Sequence, residues 1–222
     1  MHPPERTAVG DTENDRQRFL DALLESDAHL KLIVAGPGTG KTYSFRRLLE
    51  TKPDPKLVLT FINNLVQDLR RELGGIAEVR TFHSLCRSLL HRLAPVGVTH
   101  GVDYYPPLTH ILAADAKALL GSNVTTPDVE RVFHTVDTSS QILTAALRCG
   151  DYYYDAVGHT DSVYRTVRHL EMHPEDIPSY SQIVVDEFQD FNALELRLIE
   201  LLSAVSPTLV VGGRCRRRSP AC

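Results

Sequence analysis

The segment AGPGTGKT at residues 35–42 constrains the fold most, because it joins the apolar run KLIVA (31–35) to the helix-like sequence YSFRRLLE. Glycines let backbone N–H groups approach an anion closely, and a helix that begins there adds the positive end of its dipole. In this pattern Lys41 reaches the outer phosphates of a nucleoside triphosphate, and the Thr42 hydroxyl ligates Mg²⁺. The sequence therefore predicts a phosphate-binding loop between a strand and a helix.

One position departs from the usual pattern of such loops. The strict spacing GxxxxGK[ST] places glycine at position 35, where this chain has Ala35. Gly36, Gly38 and Gly40 still supply backbone freedom. The alternative interpretation is a glycine-rich turn that carries a lysine by chance.

Apolar runs and helix-like segments predict an α/β fold. Five runs rich in Val, Ile and Leu indicate buried parallel strands at 31–35, 56–61, 77–82, 182–186 and 208–212. Helical segments between them start at 41 and span 63–73 and 82–93. Alternation of this kind predicts a parallel sheet with helices on both faces. The stretch 95–180 breaks the rhythm and predicts a mainly helical insertion.

Composition narrows the possible settings. The formal net charge is −4, so any contact with nucleic acid must come from local geometry and not from a broad basic field. The N-terminus lacks the apolar run of a secretory signal, and no stretch approaches the roughly 20 apolar residues that cross a bilayer. The four cysteines form no CxxC pair. We expect a cytoplasmic protein with free thiols and no membrane partner.

The run IVVDEFQD (183–190) predicts the second half of a nucleotide site. Its strand leads directly into two acidic residues. Asp186 is the candidate partner of Mg²⁺, and Glu187 is the candidate general base that orients and deprotonates the attacking water. The alternative is an acidic helix start, since Asp and Glu also favour the first turn of a helix.

Three segments together resemble the UvrD/Rep-type superfamily 1 DNA helicases. DEFQD is similar to motif II of that family, while TFINNLVQDLRREL (60–73) and VRTFHSLCRSLL (79–90) are similar to its motifs Ia and Ib. The resemblance covers about residues 14–213. It implies a RecA-like P-loop ATPase core with a 1B-like helical insertion. The expected boundaries are 1–94 and 181–213 for the core, 95–180 for the insertion and 214–222 for a disordered basic tail.

The resemblance also implies roles for individual residues. Adenine, phosphates and Mg²⁺ would be held by Gln17, Gly36, Gly38, Thr39, Gly40, Lys41, Thr42 and Asp186. Lys41, Asp186 and Glu187 would serve hydrolysis, and Gln189 would couple the nucleotide state to DNA. A single DNA strand would be bound by Thr60, Phe61, Asn63, Thr81, Phe82 and His83. Aromatic faces can stack on bases, but phenylalanines at strand ends can equally be core residues.

By resemblance, the chain is the ATP-binding half of a DNA helicase that acts on single-stranded DNA in repair, recombination or defence. Its last residues, GGRCRRRSPAC, depart from the family, which continues into a second RecA-like lobe. A frameshift or a truncation would explain this tail. We expect binding of ATP and Mg²⁺ without unwinding, unless another chain supplies the second lobe. The alternatives are a non-catalytic remnant that binds nucleotide or a partner, and a P-loop kinase or signalling ATPase, which would not need DEFQD or TFHS.

Overall fold

The computed structural model describes residues 8–34, 40–60, 63–93, 103–121, 123–137, 139–145 and 156–212. The helices with defined bounds are α1 (Ala8–Glu25), α2 (Lys41–Glu50), α3 (Asn63–Leu73), α4 (Phe82–Leu93), α5 (Leu108–Leu120), α6 (Thr126–Thr135), α7 (His159–Met172) and α8 (Ala193–Val205). The strands are β1 (Leu30–Val34), β2 (Lys56–Thr60), β3 (Glu78–Thr81), β4 (Asp103–Tyr104), β5 (Ala156–Val157), β6 (Gln182–Val185) and β7 (Thr208–Gly212). Short 3₁₀ turns span Pro174–Asp176 and Phe188–Asp190, and residues 141–145 are helical.

A five-stranded parallel sheet forms the centre of the fold, in the order β1-β7-β6-β2-β3. In its register Leu32 lies beside Val210, and Val58 lies beside Val184. All carboxyl ends of parallel strands meet at one edge, which is where ligands bind in open α/β sheets. The α/β fold class predicted from the sequence is confirmed, and its arrangement is that of a RecA-like P-loop fold.

One face of the sheet is covered by the first three helices. Leu20 and Leu23 of α1 pack with the buried side chains of α2 and α3 against the alternate residues of the central strands, namely Val58, Val184, Leu209 and Val211. The buried residues of α2 are Phe45, Leu48 and Leu49, at helical spacing. This packing anchors α2, and with it the lysine at its first position.

The opposite face carries a larger core. Leu57 and Leu59 of β2 and Val185 of β6 contact a cluster built mainly from α4, α5, α6, α7 and α8. Phe82, at the start of α4, is fully buried in this cluster. The helices of the segment 95–180 therefore pack directly on the helices that flank the sheet.

Strand β1 is much less covered than its neighbours. It pairs only with β7 among the described residues, and Leu30, Leu32 and Val34 expose 58%, 64% and 65% of their surface. These alternate side chains lie on the face of the sheet that carries the larger core, since Leu32 is level with Val210. We call them the β1 apolar strip. A row of three exposed aliphatic residues on an edge strand is uncommon and marks a surface that contacts something else or promotes association.

Two features of the fold were not anticipated from the sequence. Helix α1 lies in a stretch that is polar in most positions, and β4 pairs with β5 in a two-stranded parallel ribbon inside the helical segment. At both ends, each of the five strands of the main sheet agrees with its predicted run to within one residue. None of the helices in the described ranges combines the length and apolar character that a membrane span needs.

Candidate active site

Lys41 is presented by the junction of the glycine-rich segment and α2. Gly40 precedes the helix with φ of 84°, a left-handed conformation that glycine adopts without strain, and a Cβ added there would meet nothing within 4 Å. Conformation, not space, therefore requires glycine at this position. Lys41 is the first residue of α2, and Thr42 follows it, half-buried, in the same turn. The predicted phosphate residues Gly36, Gly38 and Thr39 lie outside the described residues.

The two acidic residues lie where β6 ends, opposite Lys41. Lys41 Nζ donates a hydrogen bond to Glu187 Oε1 at 3.0 Å and lies 3.8 Å from Asp186 Oδ1. Asp186 is 4% exposed and is held by its backbone N–H, which donates to the Leu59 carbonyl at 2.9 Å. The structure therefore brings together three of the residues to which the sequence assigned the hydrolysis chemistry.

Glu187 is positioned by an unusual backbone conformation. Its φ of 58° and ψ of 41° lie in the left-handed region, which costs a non-glycine residue about 1–3 kcal/mol and is concentrated at functional sites. The Glu187 N–H donates to Asp186 Oδ1 at 3.0 Å, and Gln189 Nε2 donates to Glu187 Oε2 at 2.5 Å. Both carboxylate oxygens of Glu187 are thus engaged by cation or amide donors.

The electrostatics of the two acids differ. Burial raises the pKa of Asp186, and the nearby Lys41 ammonium only partly offsets this. Partial burial alone would raise the pKa of Glu187, but the hydrogen bonds from Gln189 and Lys41 and the charge of Lys41 outweigh it, so its pKa lies below the ordinary value. Glu187 is therefore the acid whose ionised form this site favours, as a general base requires.

The donor set at this edge of the sheet is suited to Mg²⁺ with a bound triphosphate. Two carboxylates already hold one cation, the Lys41 ammonium, between α2 and β6. Hard oxygen ligands, with one or two carboxylates and substrate phosphates, are what Mg²⁺ takes in ATPase sites. Thr42, in the first turn of α2, would supply the hydroxyl ligand and Asp186 the carboxylate.

The end of β7 lies against Gln189. A Cβ added to Gly212 would lie 3.3 Å from Gln189 Oε1 and 3.9 Å from Phe188 Cβ. The amide end of Gln189 thus lies over the backbone of Gly212 and would have to shift slightly if a larger residue stood there. The sequence analysis assigned no role to Gly212. A signal was present, because Gly212 is the last residue of a predicted strand and so lies at the same edge of the sheet as the motif that contains Gln189.

The residues assigned to DNA are divided between surface and core. Thr60 and Phe82 are both fully buried, and the Phe82 ring packs edge-on against Phe191 with centroids 4.8 Å apart. Neither side chain reaches the surface of this structure, so the packing lends no support to their predicted contact with DNA, which stays a prediction. The competing interpretation of Phe82 as a core residue at a strand end is the one that the packing supports. Phe61 lies outside the described residues, and Asn63 begins α3.

Thr81 and His83 lie at the end of β3 and the start of α4. The Ser84 N–H donates to Thr81 Oγ1 at 3.1 Å, so this hydroxyl caps the helix. His83 stacks on His159 with ring centroids 3.5 Å apart and planes 11° apart. Burial, and after it the neighbouring His159, Arg87 and His134, lower the pKa of His83 to about 4. His83 is therefore neutral near pH 7 and offers a planar ring, not a positive charge.

The most distant of the predicted residues is Gln17. It lies on α1, exposed, and its Nε2 donates to Asp21 Oδ1 at 2.7 Å, one helical turn away. Its assignment to adenine stays a prediction. The arginines of α3 are engaged locally, since Arg70 Nε donates to the Val79 carbonyl and Arg71 pairs with Asp68.

Comparison with known proteins places this arrangement in a family. A family model described as an AAA domain matches residues 21–215. The chain belongs to this family. The AAA domain match includes the glycine-rich segment, both acidic residues and β7, and of the site residues discussed above it leaves out Gln17.

Curated relatives of this AAA domain are bacterial proteins. Two proteins named ATP-dependent DNA helicase PcrA, from Staphylococcus aureus strains Mu50 and COL, are 27% identical to this chain over 82% of the chain's length. The chain spans 30% of the length of these relatives. The matches confirm the resemblance to the N-terminal ATP-binding portion of UvrD/Rep-type helicases that the motifs predicted.

Proposed function

We propose that this chain is the ATP-binding half of a UvrD-like, ATP-dependent DNA helicase. The observation that carries the proposal is the convergence of Lys41, Asp186 and Glu187 across 146 residues of sequence, at the carboxyl edge of a parallel sheet. A lysine at the start of a helix, opposite an acidic pair at a strand end, is the arrangement that phosphoryl transfer in P-loop ATPases needs. A glycine-rich turn with a chance lysine would not produce it.

Each residue has a distinct task in the proposed hydrolysis. Lys41 leaves Glu187 and binds the outer phosphates, while the N-terminus of α2 adds its dipole to the anion site. Mg²⁺ neutralises charge on the phosphates when bound. Glu187 orients the attacking water and accepts its proton, and Gln189 holds the carboxylate of Glu187 in place through the 2.5 Å hydrogen bond.

Single-stranded DNA is the proposed second ligand. Its support is positional: Asn63 begins α3 directly after β2, and Thr81 and His83 stand where β3 meets α4. Both positions lie at the same edge of the sheet as the nucleotide site. A DNA strand bound there would therefore lie close to the residues that contact the hydrolysed phosphate. The names of the curated relatives agree with this ligand class.

The test is a nucleotide titration with and without DNA. A fluorescent ATP analogue with Mg²⁺ is titrated into the wild-type chain and Lys41→Ala, and phosphate release is measured with and without a single-stranded oligonucleotide. We expect binding that Lys41→Ala abolishes and slow release that DNA accelerates, without strand separation. Strand separation by the purified chain would overturn the last expectation, and loss of all nucleotide binding in the wild type would overturn the proposal.

A second candidate is a non-catalytic module that binds nucleotide and a partner protein. The observation that favours it is the β1 apolar strip, since an exposed apolar row on a monomer marks a contact surface. A second RecA-like lobe could also pack against the same strip. Nucleotide binding without any phosphate release, with or without DNA, would select this alternative.

A further inference from the structure

A groove between α4 and the β4–β5 ribbon is lined by none of the residues assigned so far. It has a volume of about 300 Å³. Its polar lining consists of Ser84, Arg87, Ser88, His91 and Tyr104, and its apolar lining of Leu90 and Val157. The four residues of α4 follow the spacing i, i+3, i+4 and i+7, so they share one face of the helix. We call this cavity the α4 groove.

The guanidinium of Arg87 is held in place within this groove by an aromatic ring. Its Cζ lies 4.1 Å from the centroid of the Tyr104 ring, and no carboxylate in the described part of the chain pairs with it. A guanidinium that rests on a ring face keeps the N–H groups of its edge available, and their planar fork matches two oxygens of a phosphate.

Tyr104 is itself fixed from behind. Its hydroxyl shares a 2.9 Å hydrogen bond with His159 Nδ1, and the His159 ring stacks on His83. Burial, and after it the charge of Arg87, lower the pKa of His159, while Glu130 opposes this. Both imidazoles are therefore neutral near pH 7. Among Arg87, Tyr104, His159 and His83, the positive charge is carried by Arg87.

The remaining donors of the groove are uncommitted. Within the described residues, the hydroxyls of Ser84 and Ser88 and the ring of His91 have no hydrogen-bond partner. Neutral hydroxyls next to a single stacked guanidinium suit a singly charged phosphodiester. The groove also starts in the first turn of α4, next in sequence to Thr81 and His83. A single DNA strand that crosses the edge of the sheet there can therefore continue into the groove.

We propose that the α4 groove binds one phosphodiester group of single-stranded DNA through Arg87, with Tyr104 as its positioning residue. This inference rests on the proposed function and deepens it, because it extends the strand from the ATPase core onto the helical segment. Arg87 belongs to a helix of the core, while Tyr104 and His159 belong to the segment 95–180. A phosphate bound there would therefore make the strand contact both parts of the chain.

The experiment follows fluorescence anisotropy of a labelled oligothymidylate across a salt series, with the wild-type chain and Arg87→Ala. We expect Arg87→Ala to weaken binding about five- to tenfold and to lower the slope of log K against log salt by about 0.7, the value of one phosphate contact on a single strand. Arg87→Lys keeps the positive charge but loses the planar pair of N–H donors. Its affinity for the oligonucleotide is therefore expected to lie between those of the wild type and Arg87→Ala. Arg71→Ala, an exposed arginine paired with Asp68 on α3, is the matched control and should bind like the wild type.

The outcomes separate this inference from the proposed function. If Thr81→Ala weakens binding while Arg87→Ala and Arg87→Lys keep both affinity and slope, the α4 groove is not on the strand and the proposed function stands. If the wild type binds the ATP analogue but no oligonucleotide, the DNA ligand and the groove both fail. If Arg87→Ala instead loses the ATP analogue, the groove serves free nucleotide and the inference is overturned.

Discussion

Lys41 Nζ lies 3.0 Å from Glu187 Oε1, so the lysine proposed to bind phosphate is held by the carboxylate proposed to act on water. The two side chains expose 17% and 22% of their surface, and Asp186 lies behind them. A partly exposed ion pair of this kind contributes about 0.2–1 kcal/mol. The contact between Lys41 and Glu187 must break before Lys41 can bind an incoming triphosphate.

Replacing the acid by its amide should therefore affect binding and chemistry in opposite directions. Glu187→Gln removes the charge that retains Lys41, so we expect the affinity for a Mg²⁺-bound ATP analogue to rise about two- to fivefold. The same change removes the proposed base, so phosphate release should fall below detection. Titration by fluorescence and a phosphate assay on one preparation test both, with Glu200→Gln on α8 as control. A fall in affinity of threefold or more would contradict this interpretation of the ion pair.

Gly212→Ala should disturb Gln189 without disturbing the fold. The added Cβ would lie 3.3 Å from Gln189 Oε1, which is the far end of a flexible, exposed side chain and can move aside. We expect the free energy of unfolding to change by less than about 1 kcal/mol. Phosphate release should fall about two- to fivefold as Glu187 loses its amide donor, a modest fraction of the effect expected of a general base.

The matched control for that substitution is Gly75→Ala, since a Cβ at Gly75 would meet nothing within 4 Å. Denaturant unfolding and phosphate release are measured for both variants. Equal effects of the two substitutions on release would show that Gly212 has no particular relation to Gln189.

The His83–His159 stack predicts a loss of stability in mild acid. The pKa of His83 is about 4 in the folded chain, chiefly because of burial, against about 6.5 when unfolded. The unfolded chain therefore binds the proton first, so this contribution to stability is complete above pH 6.5 and is lost as the pH falls toward 4. At pH 5 the expected loss is about 1–2 kcal/mol.

Unfolding by urea at pH 7.5 and pH 5.0 checks the size of that loss. His83→Asn removes the titrating ring and should reduce the difference between the two pH values. His110→Asn, at an exposed histidine on α5, is the control for the loss of an imidazole elsewhere in the chain. A difference that is as large in His83→Asn as in the wild type would refute the assignment.

Cys86 should be chemically inert in the folded chain. It is fully buried on α4, and burial raises the pKa of its thiol to about 12, only partly opposed by a hydrogen bond with Thr166. Because the thiolate is the reactive form, alkylation by iodoacetamide at pH 8 should be at least about a hundredfold slower in buffer than in urea. Peptide mapping isolates Cys86 from the other cysteines, and rapid native labelling of its peptide would show that α4 opens readily.

The central sheet and the nucleotide residues could be predicted because their signals are local. The strands that end at Val34, Val185 and Gly212 arise from apolar runs with the length and composition of buried parallel strands. Each functional group directly follows a strand or a glycine-rich turn. Helix α1 escaped prediction because only Leu20 and Leu23 of its described side chains are buried, which is too sparse for a clear helical period.

Tertiary contacts explain the remaining differences. An aromatic residue after a strand is equally compatible with a base-stacking surface and with a core, and only the packing against Phe191 decides that Phe82 is core. The stack of His83 on His159 joins residues 76 positions apart, and the β4–β5 ribbon has two residues per strand, too few for any periodicity. No local pattern could have indicated the α4 groove.

The position of β1 bears on how firmly the nucleotide site is held. This strand leads into the glycine-rich segment, yet within the described ranges it pairs on one side only, and one of its faces carries the β1 apolar strip. Local opening starts where backbone hydrogen bonds are exposed and apolar contacts are few. The amides of β1 should therefore exchange with deuterium well before those of β6, although both strands serve the same site. Nucleotide binding would stabilise the closed form by mass action and so slow that exchange. The exchange rate of the β1 amides therefore reports whether nucleotide occupies the site.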